Sequence, residues 1–247
     1  MPNYISKLRF LQTLDASRSF CISQTIDLRK LTSLRHVIGK FVGKLLIGDT
    51  VNLQTLRSIS SDSLSKLKHE LLINLRDLEI YDQFMSVKRR VPVSWASLTK
   101  LRNLRVLKLE ANDIYLSLES EEAVRSMDVI SPSLESVTFV GINLKEDPMP
   151  FLQKMPRLED LMLQDCDYSG EKMSISEQGF GRLRKLQLFM ERLDELQIEE
   201  EAMPNLIQLR LSSILRLQTK LIIPKRLRAC MSYETPERLR ACMNYET

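Results

Sequence analysis

Residues 101–112 read LRNLRVLKLEAN, and they place Leu101, Leu104, Leu107, Leu109 and Asn112 in the frame L-x-x-L-x-x-L-x-L-x-x-N. The last two leucines are separated by one residue. Side chains two apart share a face only on an extended strand, so Leu107 and Leu109 mark a short strand with one apolar face. The frame returns in MPRLEDLMLQDC (155–166) as Met155, Leu158, Leu161, Leu163 and Cys166. It returns again in MPNLIQLRLSSI (203–214) as Met203, Leu206, Leu209, Leu211 and Ile214. PSLESVTFVGI supplies Leu134, Val137, Phe139 and Ile142; FGRLRKLQLF supplies Leu183, Leu186 and Leu188; LINLRDLEI supplies Leu72, Leu75, Leu78 and Ile80. Weaker copies fall at Leu8, Leu11 and Leu14, at Leu31, Leu34 and Val37, and at Leu53, Leu56 and Ile59.

Anchored on the second leucine, the copies stand at positions 11, 34, 53, 75, 104, 134, 158, 183 and 206. The intervals run from 19 to 30 and average about 24, a period typical of leucine-rich repeats. An amphipathic helix also brings i, i+3 and i+6 near one face, but it does not ask for period two at 107/109, 161/163, 186/188 and 209/211. The expected fold is therefore α/β: an irregular leucine-rich repeat solenoid, a horseshoe with a parallel sheet on its concave face. Loops and short helices, including one near Glu119 to Met127, are expected on the convex face. Residues 1–223 form the repeat domain of about nine repeats. Residues 224–235, PKRLRACMSYET, recur at 236–247 as PERLRACMNYET, identical at ten of twelve positions. This tandem duplication reads as two short helical copies that form either a C-terminal cap or a tail.

Leucine supplies 42 of the 247 residues, against seven glycines and two histidines, His36 and His69. So few glycines and imidazoles leave little material for phosphate loops, metal ligation or general-base chemistry, and no catalytic residues, cofactor or metal are assigned. VIGKFVGKLLIGDT (37–50) has glycines and lysines, but its spacing is not that of a phosphate loop and no Ser or Thr follows the lysine. Cys21, Cys166, Cys230 and Cys242 include no C-x-x-C pair, which fits reduced thiols in a cytoplasmic protein. The N-terminal MPNYISKLRFLQTLDASRSF interrupts its apolar residues with charge, unlike a signal peptide or membrane anchor.

The formal charge of +4 conceals a segregation. Residues 1–110 carry 19 Lys/Arg against 9 Asp/Glu, whereas residues 111–200 carry 9 against 19. The basic part lacks the aromatic interleaving and recognition signatures of nucleic-acid binders, so the expected partner is protein, with neither nucleic acid nor membrane involved.

The quoted repeats resemble the leucine-rich repeat region of plant intracellular nucleotide-binding immune receptors, the coiled-coil type of disease resistance protein. LKEDPMPFLQKMPRLEDLMLQDCDYSGEKM (144–173), GFGRLRKLQL (179–188) and EEAMPNLIQLRL (200–211) are similar to the branch directed at downy mildew and late blight. KLTSLRHVIG (30–39) and NLQTL (52–56) resemble its early repeats. The resemblance implies a non-catalytic module that senses a pathogen effector or a guarded host protein and regulates a nucleotide-binding switch domain. With no phosphate loop here, the chain reads as a fragment or truncated relative of such a receptor. A substrate-recognition subunit of a ubiquitin ligase is the alternative, because leucine-rich repeats also follow F-box segments.

The frame nominates a surface. Between the inward positions lie Glu79, Lys108, Thr138, Met162, Gln187 and Arg210, and one strand position further lie Tyr81, Glu110, Val140, Gln164, Phe189 and Ser212. Tyr81, Val140, Met162 and Phe189 are expected to be exposed protein-binding anchors on the concave face. The basic run Lys88, Arg89 and Arg90 is the candidate contact with the nucleotide-binding receptor domain that the resemblance implies.

Overall fold

All nine leucine frames deliver a strand, and every strand pairing is parallel among the described residues. The computed structural model describes residues 5–48, 52–65, 67, 72–82, 93–94, 98, 100–117, 132–144, 146–168, 170, 172–190, 193–212 and 221–232. The chain divides into two units, Met1–Leu134 and Glu135–Thr247.

The first unit begins with a 3₁₀ turn, Ile5–Lys7. It continues through β1 (Thr13–Asp15), β2 (Ile26–Asp27), β3 (His36–Phe41), β4 (Leu45–Leu46), β5 (Thr55–Ile59), α1 (Ser61–Ser65), β6 (Asp77–Tyr81), β7 (Val93–Ser94) and β8 (Val106–Ser117). Strands β1, β3, β5, β6 and β8 pair in that order, β7 lies against the far part of β8, and β2 pairs with β4. The second unit holds β9 (Ser136–Leu144), α2 (Met149–Leu152), β10 (Asp160–Gln164), β11 (Asp167–Tyr168), β12 (Lys172–Ile175), β13 (Lys185–Phe189), β14 (Glu195–Ile198), β15 (Gln208–Ser212), β16 (Leu221–Ile222), α3 (Lys225–Arg228) and β17 (Met231–Ser232). Its main sheet runs β9, β10, β13, β15, β17, with β11 on β9.

The register stacks like residues. Val137, Leu161, Leu186 and Leu209 are successive partners, as are Phe139, Leu163, Leu188 and Leu211. These eight are buried, and so are Leu14, Val37, Leu56, Leu78 and Leu107, the corresponding row of the first unit. A one-residue slip would turn each row outward, so burial specifies the register.

Hydrogen bonding explains the rest of the frame. The L-x-x-L spacing closes a turn: Leu75 N–H donates to the Leu72 carbonyl (3.0 Å), Leu104 to Leu101 (3.0 Å) and Leu206 to Met203 (3.2 Å). Both ends of the turn then face the core. Strands β3, β5, β6, β8, β10, β13 and β15 are next pinned by two consecutive N–H groups on one carbonyl of the preceding repeat. Arg76 and Asp77 donate to Gln54, Arg105 and Val106 to Arg76, Arg184 and Lys185 to Glu159, and Ile207 and Gln208 to Arg184.

The weak early copies depart from this pattern for steric reasons. On β3 the second inward position is Gly39, where an added Cβ would meet Ala16 Cβ at 3.0 Å and the Phe41 ring at 3.1 Å. Phe41 is buried to 2% exposure and occupies the volume a second leucine would use. The pairing of β5 slips between Leu56 and Ile59, where Ser58 has φ 60°. That extra residue restores Ile59 to the core, the geometry of a bulge.

One expectation for the return segments changes. In the second unit β12, β14 and β16 form a separate parallel sheet where only loops and short helices were expected. Met173, Ile175, Leu196 and Ile198 are its buried row. The helix expected near Glu119 to Met127 lies outside the described residues.

The first copy of the 12-residue duplication also differs from a free helical tail. Pro224 leads into one turn, α3, and the chain then extends as β17, with Met231 opposite Leu209 and Ser232 opposite Arg210. Leu227 is 2% exposed. The second copy lies outside the described residues.

Candidate recognition face

In the second unit the nominated residues fall into two straight rows. Thr138, Met162, Gln187 and Arg210 are successive partners across β9, β10, β13 and β15, and Val140, Gln164, Phe189 and Ser212 form the next row. All are half-buried except Ser212, whose backbone alone is described. Neighbouring strands lie ~4.8 Å apart and alternate residues rise ~6.6 Å along a strand, so diagonal neighbours sit on the order of 8 Å apart. Met162 on β10 is diagonal to both Val140 on β9 and Phe189 on β13. These three make an apolar V with Met162 at its apex and Gln164 between its arms, bordered by Thr138, Gln187 and Arg210. Flanking ladder bonds fix their positions, so little backbone entropy remains to be lost on binding.

The first unit uses the same positions differently. Lys108 Nζ reaches Glu79 Oε1 at 3.1 Å and Glu110 Oε2 at 2.6 Å. Burial works against this ammonium, but its hydrogen bonds to Glu110 and Glu79 outweigh that and raise its pKa above the ordinary lysine value. Arg57 grips Asp77 through both carboxylate oxygens, with Nε at 2.9 Å from Oδ2 and 3.1 Å from Oδ1. His36 Nδ1 and Thr55 Oγ1 are 3.0 Å apart on adjacent strands.

Tyr81 corrects an expectation. It was nominated as an exposed anchor, yet it is 9% exposed. Lys40 Nζ sits 4.8 Å from the ring centroid and 3.5 Å from the phenolic oxygen, covering the ring through a cation–π contact. Lys88, Arg89 and Arg90 lie outside the described residues.

Several structural polar groups escaped the sequence frame. Asn103 Nδ2 donates to the Ile73 carbonyl and Asn205 Nδ2 to the Gly181 carbonyl, each at 2.7 Å and each reaching into the preceding repeat. The asparagine just before an anchor leucine, in L-x-N-L and M-P-N-L, is the signal that marks them. Asp82, fully buried, accepts from the Ser61 N–H at 3.1 and 3.2 Å and so caps α1 from the next repeat. Cys166 occupies the frame's asparagine position and points its thiol at the Phe139 carbonyl, 3.6 Å away. Burial pushes that thiol up to about 12, so at neutral pH it is a packed, protonated group and not a nucleophile. No described helix is long and apolar enough to cross a membrane.

Comparison with known proteins agrees with the ladder. The family model for a leucine-rich repeat region matches residues 1–223. Disease resistance protein RPP13 of Arabidopsis thaliana is 73% identical over 226 residues, covering 91% of this chain and 27% of its own length. The putative disease resistance RPP13-like protein 3 of the same plant is 63% identical over 235 residues, covering 93% of this chain and 28% of its own. The chain thus spans little more than a quarter of these curated relatives. Among solved structures, a leucine-rich repeat protein of Leptospira interrogans superposes with a TM-score of 0.54 at 18% identity, over 95% of this chain and 63% of that one. At that identity the likeness concerns the fold.

Proposed function

Because the chain belongs to the leucine-rich repeat region family and aligns over most of its length with plant disease resistance proteins, we propose that it is a non-catalytic protein-recognition module of plant innate immunity. In this reading it acts in the cytoplasm, contacting a pathogen effector or a guarded host protein through the outward rows of the second unit. That contact regulates a nucleotide-binding switch domain.

The observation that carries the reading is the apolar V of Val140, Met162 and Phe189, half-buried on a rigid ladder and bordered by polar groups. Aromatic and methionine side chains in such a setting become fully desolvated when a partner covers them, and they supply most of the affinity at protein interfaces. A rigid surface shifts a distant switch only through unequal affinity for the switch's two states, so the partner must favour one of them. The first unit is assigned the contact with the nucleotide-binding domain, including Lys88, Arg89 and Arg90.

Pull-down from plant cytosol with the unaltered chain and with the Met162→Ala/Phe189→Ala pair tests the reading. The unaltered chain is expected to retain an effector, a guarded host protein or a nucleotide-binding receptor domain. The pair is expected to lose the effector or host protein by about thirty-fold, equivalent to ~2 kcal/mol. Equal capture by both chains, or recovery of a cullin adaptor in their place, overturns it. Charge reversal at Lys88, Arg89 and Arg90 tests the second assignment, and unchanged binding to a matching nucleotide-binding domain counts against it.

A further inference from the structure

The end of the second unit contains a peptide-binding slot whose ligand is a segment of the chain itself. Residues 224–232 fill it. The Arg226 guanidinium donates to the Glu200 carbonyl at 2.8 Å, to the Met203 carbonyl at 3.4 Å and to the Ala202 carbonyl. Leu227 is buried beside it, and its N–H donates to Pro224, itself buried. The Cys230 thiol donates to the Leu206 carbonyl at 3.3 Å, and the Cys230 carbonyl accepts from Leu209 N–H at 2.9 Å. Met231 and Ser232 complete the docking by pairing with Leu209 and Arg210.

The duplication repeats these groups. Pro224, Arg226, Leu227, Cys230 and Met231 reappear as Pro236, Arg238, Leu239, Cys242 and Met243. The two differences are Lys225 against Glu237 and Ser232 against Asn244. Lys225 is exposed, and Ser232 enters the ladder through its backbone pairing with Arg210.

Stacking the second copy as a further repeat is blocked by chain length. Ladder partners in the described sheets are never closer in sequence than Phe41 and Ile59, 18 residues apart. The copies are offset by 12 residues.

We propose that the slot on β15 accepts either copy, so that residues 224–235 and 236–247 exchange as its occupant within one chain. Binding the second copy lengthens the connection from residues 213–223 to residues 213–235, roughly a doubling that lowers occupancy only about three-fold. The first copy is then the major occupant and the second a reserve.

The test uses the full chain and iodoacetamide, reading each cysteine separately by mass spectrometry. Tryptic peptides 229–238 and 241–247 keep Cys230 and Cys242 apart. In the unaltered chain Cys230 reacts more slowly than Cys242. In the Arg226→Ala/Leu227→Ala chain the order reverses: Cys242 slows by about three-fold or more while Cys230 accelerates. Cys242 staying fast in that chain overturns the proposal, as does a reversal that dilution abolishes, which would place the segment on a neighbouring molecule. A gentler variant, Lys225→Glu/Ser232→Asn, gives the first copy the second copy's residues at both differing positions. It is expected to leave Cys230 protected within two-fold, and loss of protection there shows that the slot rejects the second copy's sequence.

Discussion

The outward rows of the two units occupy equivalent frame positions but differ in how they satisfy their side chains. In the first unit Lys108 is shared by Glu79 and Glu110, Arg57 grips Asp77, and Lys40 covers Tyr81. In the second, the same rows carry Thr138, Met162, Gln187, Val140, Gln164 and Phe189, with Arg210 as the one charged residue among them. A partner covering the first face must desolvate or break pairs that already satisfy one another, which offsets much of what it gains. Covering the second removes apolar surface from water, worth about 25 cal/mol per Å². The first inward rows are alike, Leu14, Val37, Leu56, Leu78 and Leu107 against Val137, Leu161, Leu186 and Leu209, so beside them the divergence belongs to surface chemistry.

The largest expected effects test that likeness of scaffold. Leu107→Ala in the first unit and Leu186→Ala in the second, both fully buried, should each cost ~3 kcal/mol in urea unfolding. A silent substitution in either unit would break the equivalence. Gly39→Ala should cost ~1–3 kcal/mol, since the new methyl meets Ala16 and Phe41 and the glycine's φ of 155° suits few side chains. Asn103→Ala and Asn205→Ala should each lose ~1 kcal/mol, equally in the two units, because both donate to the preceding repeat. Arg57→Ala should cost below ~1 kcal/mol, and 1 M salt should shrink that loss, because the ion pair is partly solvated. Phe189→Ala should show no comparable salt dependence in its stability. Finally, Cys166 should resist iodoacetamide at pH 8 while exposed Cys21 reacts, since a thiol with a pKa of about 12 remains protonated there.

The ladder was legible because period-two leucines and a closed L-x-x-L turn are local signals. Leu101 to Leu109 carry both within nine residues. The nominated rows of the second unit were legible for the same reason, since they are the positions between those leucines. What escaped depends on partners that meet only after register is set. Tyr81 looks exposed by its place in the row, but the lysine that covers it lies 41 residues earlier. Asp82 carries no visible sign that it caps a helix 21 residues upstream. The second sheet was hidden differently: KMSI and ELQI each offer only two inward apolar positions, too few to separate a strand from a loop.

The double anchorage of strands β3, β5, β6, β8, β10, β13 and β15, two N–H groups on one carbonyl of the repeat before, has a consequence for how such a molecule changes over generations. Registration is handed from strand to strand, whatever the length of chain in between, which here runs from 18 residues between Phe41 and Ile59 to 29 between Leu78 and Leu107. Insertions and deletions in the return segments therefore leave the outward rows in place. Substitutions in the rows leave the anchorage in place. Lineages can search the two kinds of variation independently, and a new surface need not wait for a new scaffold.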